Sequence, residues 1–415
     1  MRRVITFLGT RPIQTSYLFA GQEYRGRQFA EALCQFLSFD EMLVFATPQA
    51  QETTWPLLAD LGDPRIKLVP ISLDPRGEHL WGLFQRLTEC VAPGDRVIFD
   101  LTHGLRHVPF VVFLAAAYLT QAQGVEIEAV YYGAYELAQV GKAAPVVDLS
   151  PLVSLLSWLT AAGQFVHTGD ARLLAGLLLE EAEALRQQRG EEGLPSEQER
   201  RLRRLGRRLE ELSLALMLCR PLEVMRQAGP FAEALRDALA VKGERARPFQ
   251  LLAQRIQKEY ANQSLPNPTA PESVEASLCK QLELVAWYRE KNQLLQAATL
   301  AREWLVTALG WRLGKGFVLG PRAREELERG LSGLTKWQRG ELAPNELNPV
   351  ARELLTWPAE EREMLSWLFD KLGDVRNDLN HAGMRENARS PQRLRQHFDE
   401  AWEKLQELAR CWGVW

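Results

Sequence analysis

Over the first 150 positions, apolar residues come in short β-branched runs separated by stretches with helical spacing; beyond position 151 only the helical spacing persists. The runs predict strands at Val4–Leu8, Met42–Ala46, Lys67–Ile71, Arg96–Asp100, Glu126–Tyr132 and Pro145–Asp148. Between them, Gln28–Leu37, Leu80–Cys90 and Val108–Gln121 read as helices. Strand and helix in alternation imply a parallel sheet covered on both faces, an α/β Rossmann-like layer. Ligands bind such sheets beyond the carboxyl ends of the strands. Gly9-Thr10 and Thr102-His103-Gly104 each follow a predicted strand and so fall at that edge.

From Pro151 onward the chain reads as all-helical. Helices are expected at Leu152–Val166, Ala171–Gln188, Val274–Lys291, Leu294–Leu313, Glu360–Leu372 and Arg393–Cys411. The Pro-rich stretch Ser264–Pro271 breaks the periodicity and is the expected boundary within this half. Glu197 and Glu199 precede Arg200, Arg201, Arg203, Arg204, Arg207 and Arg208. That strip reads either as an RNA-facing surface or as a solvated helix whose charges pair three or four residues apart.

Composition narrows the function classes. With 415 residues the chain should form two or three domains. A formal net charge of -3 argues against a general duplex-binding protein, though not against a local basic groove. Five cysteines are scattered singly, with no zinc or disulfide spacing, which fits the cytoplasm. Phe110–Leu119 is too short an apolar run to span a membrane. Val4–Leu8 runs straight into Gly9-Thr10-Arg11-Pro12, which is a first strand rather than a signal peptide.

Two motifs carry chemistry. Asp100-Leu101-Thr102-His103-Gly104-Leu105-Arg106 ends a predicted strand and opens a helix. A hydroxyl, a glycine and a helix N-terminus there suit an anion, with Gly9-Thr10 as a second small turn and Arg11 or Arg106 as added charge; the competing reading is an ordinary turn with Thr or Asp capping the helix. Neither GxGxxG nor a Walker A sequence is present. The second motif is Arg376-Asn377-Asp378-Leu379-Asn380-His381. A histidine that moves a proton near neutral pH, an arginine fork for phosphate and an amide are a minimum kit for metal-free RNA cleavage. Arg376 and His381 lie roughly 140° apart on an ideal helix, so either the helix ends here or a second copy completes the site. The competing reading is a structural Arg–Asp–His network with Asp374 or Asp378 as partner.

The order Phe7-Leu8-Gly9-Thr10, then Asp100-Leu101-Thr102-His103-Gly104, then Pro145-Val146-Val147-Asp148-Leu149 resembles the DxTHG-motif CRISPR-associated proteins. The run ending His381-Ala382-Gly383 resembles the RxxxxH signature of HEPN ribonucleases. The resemblance implies a CRISPR-associated Rossmann fold (CARF) sensor at 1–150, a helical connector at 151–265 and a HEPN-like ribonuclease domain at 266–415. It implies a homodimer activated by a cyclic oligoadenylate, cyclic tetra-adenylate foremost, bound by Gly9, Thr10, Arg11, Thr102, His103, Gly104 and Arg106. Single-stranded RNA would be cleaved at Arg376, Asn377 and His381 without a metal, leaving 2′,3′-cyclic phosphate and 5′-OH ends. The sensor could in addition cleave its own messenger, with Thr10 and Thr102 the residues to probe. Two alternatives stand beside this: a non-catalytic messenger-sensing regulator, and a nucleotide-binding metabolic enzyme.

Overall fold

Short β-branched runs buried on both sides form the centre of an N-terminal unit spanning Met1–Ser157. The computed structural model describes residues 1–72, 78–138, 142–189, 194–240, 247–384 and 386–415. The unit begins with β1 (Arg2–Phe7), β2 (Thr15–Phe19), β3 (Gln22–Gly26), α1 (Phe29–Phe36), β4 (Glu41–Ala46), α2 (Pro48–Thr53) and α3 (Trp55–Ala59). It continues through β5 (Ile66–Pro70), α4 (Glu78–Glu89), β6 (Arg96–Asp100), α5 (Val108–Gln123), β7 (Glu126–Gly133) and β8 (Ala144–Asp148). The sheet order is β3-β2-β8-β7-β6-β1-β4-β5.

The expected parallel sheet is present as β5-β4-β1-β6-β7. Side chains alternate across it with the period of two that a strand imposes. Ile5, Phe7, Leu43, Phe45, Val97 and Phe99 pack with α4 and α5 on one face. Val4, Met42, Val44 and Ile98 pack with Phe29, Ala30 and Leu33 of α1 on the other. Burial on both faces explains why these strands read as continuous apolar runs. The sheet is longer than expected: β8 runs antiparallel to β7, and the β2–β3 hairpin pairs on β8. Ala20 and Gly21, both at positive φ, make its two-residue turn. An Ala-Gly turn lacks the Asn-Gly or Asp-Gly signal by which such hairpins are found in a sequence.

Among the described residues the regular elements of the second unit, Trp158–Trp415, are all helices. Its helices are α6 (Ser150–Thr168), which starts in the first unit, α7 (Arg172–Arg189), α8 (Glu197–Met217), α9 (Pro221–Leu239) and α10 (Arg247–Tyr260). They are followed by α11 (Val274–Glu290), α12 (Leu294–Arg312), α13 (Pro321–Gln338), α14 (Pro349–Leu354), α15 (Ala359–Asn380) and α16 (Pro391–Cys411). One apolar core extends from Trp158 to Val414 and continues on both sides of the Ser264–Pro271 breaker. Tyr288 donates to the carbonyl of Leu216 at 2.6 Å, and the buried Trp304 indole donates to that of Leu278 at 3.0 Å. Among the described residues no helix is long and apolar enough to cross a membrane.

Candidate functional site

The upstream motif sits at the carboxyl edge of the neighbouring strands β1 and β6. Asp100 ends β6 completely buried, accepting from the Thr6 hydroxyl at 2.5 Å and the Thr102 N–H at 2.8 Å. Burial pushes its carboxyl up to about 6. Thr102 is buried too, and its hydroxyl oxygen accepts from the Gly133 N–H at 2.8 Å. The Thr102 side chain thus fastens β6 to the end of β7 and is not turned toward solvent. A Cβ at Gly133 would sit 2.9 Å from Tyr17, 3.0 Å from Phe29 and 3.2 Å from the Thr102 hydroxyl, so only glycine fits.

His103 points at the other face of the loop. Its Nε2 accepts from the Phe29 N–H, the first of α1, at 3.1 Å, so the proton of the neutral ring is on Nδ1. Desolvation holds this imidazole down at about 4, well below an ordinary histidine. Nδ1 borders Gly9, where a Cβ would stand 3.5 Å away. The Gly9-Thr10-Arg11 backbone is clamped by three side chains. Gln28, fully buried, accepts from the Gly9 N–H at 3.3 Å and donates to the Arg11 carbonyl at 3.1 Å. Thr54 donates to the Gly9 carbonyl at 2.7 Å and Thr53 to that of Thr10 at 3.0 Å. Sequence reasoning missed Gln28, Thr53, Thr54 and Gly133, which belong to no motif and act only through tertiary proximity.

The structure therefore brings Gly9, Thr10, His103 and Gly104 together. Arg11 and Arg106 are exposed at the rim, and Thr102 lies beneath. The backbone N–H groups of His103, Gly104, Leu105 and Arg106 meet no protein acceptor among the described residues. A row of unpaired donors beside two exposed arginines suits phosphate oxygens.

The downstream motif occupies the last turns of α15. The helix is unbroken through Gly373 and stops at Asn380, with His381 as its cap. Ala382 and Gly383 follow at φ 52° and 72°, turning the chain away. Arg376 is half-buried, and Asn377 and His381 are exposed. The two acids that could have tied them down both pair with Arg389 instead, although Oδ1 of the buried Asp378 has no partner. Asp378, 1% exposed, accepts from the Arg389 N–H at 3.1 Å, and Asp374 pairs with the Arg389 guanidinium at 3.0 Å. Among the described residues no side chain bonds to Arg376, whose buried Nε has no partner. The Arg376–Asp–His381 network expected as the alternative is not formed: Arg389 pairs with both acids, and Arg376 and His381 have no side-chain partner among the described residues.

The arginine strip of α8 resolves toward pairing. Arg201 meets Glu197, Arg203 meets Glu183 and Glu199, Arg204 meets Asp237, and Arg208 meets Glu211. Among the described residues no group of three or more His, Cys, Asp or Glu could hold a metal ion.

Comparison with known proteins bears on the middle of the chain. Residues 154–264 match the family model described as CRISPR-associated protein MJ1674, second domain. CRISPR-associated protein MJ1674 of Methanocaldococcus jannaschii is 27% identical over 121 residues, covering 28% of this chain and 19% of that protein. The chain thus spans about a fifth of that relative's length. The family-model match falls on α6 to α10, away from both motifs. Over residues 154–264 the chain is therefore similar to the second domain of a CRISPR-associated protein.

Proposed function

We propose that the protein is a metal-independent endoribonuclease switched on by a cyclic oligoadenylate, a CARF–HEPN enzyme of antiviral defence acting on single-stranded RNA. The observation that carries this reading is the freedom of Arg376 and His381 at the end of α15 while Arg389 occupies both neighbouring acids. A fold that needed the motif for packing would have bonded it.

In the proposed reaction the ribose 2′-oxygen bonds to the adjacent phosphorus and the bond to the 5′-oxygen breaks. The 2′ proton is lost and the leaving 5′-oxygen gains one. His381 moves these protons, the Arg376 fork stabilises charge on the phosphorane, and Asn377 orients the reacting groups. With Arg376 inside α15 and His381 at its cap, a second copy would bring two such pairs together in one composite site. An apolar face suits such an assembly. Phe110, Leu114 and Tyr118 of α5 recur every four residues and stay 75%, 63% and 46% exposed. Phe84 links Tyr118 to the exposed Trp81, with ring centroids 5.4 and 5.9 Å away. Patches of this kind mark protein contacts. At the sensor edge, the unpaired N–H groups of 103–106 with Arg11 and Arg106 would hold the messenger's phosphates, and Gly9 and Gly104 would admit its backbone closely.

The test is cleavage of a fluorescent single-stranded RNA in EDTA, with cyclic tri-, tetra- or hexa-adenylate or none, by the wild type and His381→Ala. Cleavage with one ring size that vanishes in the variant, leaving 2′,3′-cyclic phosphate ends, is the expected result. A messenger that binds without provoking cleavage would overturn the ribonuclease reading in favour of a non-catalytic sensor.

A further inference from the structure

Behind Arg376 lies a second guanidinium that no motif contains. Arg302, on α12, is only 6% exposed, although arginine is rarely buried unpaired. Its Nε and Nη1 have no hydrogen-bond partner. The nearest carboxylate, Glu328, stands 3.8 Å away, beyond hydrogen-bond range, and is itself 41% exposed. What holds Arg302 is the Phe369 ring, 4.1 Å below its guanidinium carbon. Phe369 and Arg376 are seven residues apart on α15, two helical turns, so they share a face about 10 Å apart along the axis. Arg302 therefore lies on the Arg376 face, close enough that the charge of Arg376 helps depress its basicity, after burial itself. Ser366, another turn back and 4% exposed, also has an unpartnered hydroxyl.

Two cations on one helix face, with buried donors unmatched, disfavour each other until an anion arrives. We propose that Arg302 and Arg376 together form an anion site for the scissile phosphate of RNA. In it Arg376 touches the substrate, and Arg302 is a positioning residue supplying positive charge from beneath. This rests on the ribonuclease reading above and adds a residue to it. A unit charge about 10 Å from an anion, at an effective dielectric of about 20, changes affinity by roughly tenfold. Glu328 would partly offset that charge.

The experiment compares wild type, Arg302→Met, Arg302→Lys and Glu328→Gln in messenger-activated cleavage. It also measures their binding to a single-stranded 2′-O-methyl RNA, which lacks the nucleophile. Arg302→Met keeps the volume and removes the unmatched donors, so it should melt at or above the wild-type temperature. It should nonetheless bind the uncleavable RNA and turn over substrate roughly tenfold less well. Arg302→Lys keeps the charge and should retain most of both functions, and Glu328→Gln should bind RNA more tightly. Arg302→Met cleaving and binding like wild type would overturn the proposal while leaving the ribonuclease intact. Equal losses in the Met and Lys variants, with lowered melting in both, would overturn it in favour of a packing role. Wild-type protein that neither cleaves nor binds RNA would remove the ribonuclease reading and this one with it.

Discussion

Asp100 and His103 are three residues apart in one buried turn, and their titrations oppose each other. The Asp100 carboxyl rises from its ordinary 3.8 to about 6, so between those values the folded protein holds a proton that the unfolded chain has released. Stability from this group is fullest below pH 3.8 and is lost as pH rises through 6. The His103 imidazole falls from 6.5 to about 4, so between those values the unfolded chain binds a proton that the fold excludes. Stability from this group is fullest above pH 6.5 and is lost as pH falls through 4. Each difference is worth about 3 kcal/mol, and the windows nearly coincide. The wild-type N-terminal unit should therefore be almost indifferent to pH between 4 and 6.5 as far as this turn is concerned. Single substitutions unmask the two halves. Asp100→Asn leaves His103 alone and should lose about 3 kcal/mol on acidification from pH 6.5 to 4. His103→Gln keeps an acceptor for the Phe29 N–H and should gain a similar amount over the same range. Hydrogen–deuterium pulse labelling of β1 and β6 peptides across a urea series gives a midpoint for this unit alone at each pH. Parallel pH dependences in the two variants, or a wild type as acid-sensitive as Asp100→Asn, would refute the opposition.

Gly133→Ala should cost about 1–3 kcal/mol by the same labelling, because the new methyl meets Tyr17, Phe29 and the Thr102 hydroxyl at 2.9 to 3.2 Å. Arg389→Ala leaves the buried Asp378 with only a substituted residue's backbone donor. It should cost about 1–3 kcal/mol and speed exchange around residues 381–389. On the proposed reading, RNA cleavage in that variant should drop by about tenfold to a hundredfold through misplacement of His381. Arg204→Ala and Arg208→Ala remove exposed ion pairs of α8 and should each change stability by less than about 1 kcal/mol in thermal melts. Because those arginines are already paired, RNA affinity in a binding titration should stay within about twofold; a larger loss would restore the strip as an RNA surface.

The sequence by itself determined the elements whose cause is local or periodic. Strands β1, β4, β5, β6 and β7 were legible because burial on both faces forces continuous apolar runs, and the C-terminal helices because one apolar stripe must meet a core. It also placed the upstream motif at a strand end, and left open whether the helix of the downstream motif stops there. Tertiary structure decided the rest, because the deciding partners are distant in sequence. The β2–β3 hairpin turns on Ala20-Gly21 and is held in place by its pairing with β8, which no local signal announces. Thr102 reads as a ligand residue until Gly133, thirty-one positions away, takes its hydroxyl. That Arg376 and His381 take no side-chain partner is visible only once Arg389 is seen to pair with Asp374 and Asp378. Arg302 was invisible in the sequence, since a lone arginine in a helix is ordinarily solvated and only packing against Phe369 shows that this one is buried beside the motif. Periodicity records which face of an element is buried. Which polar atoms are left without a partner follows only from how the elements pack.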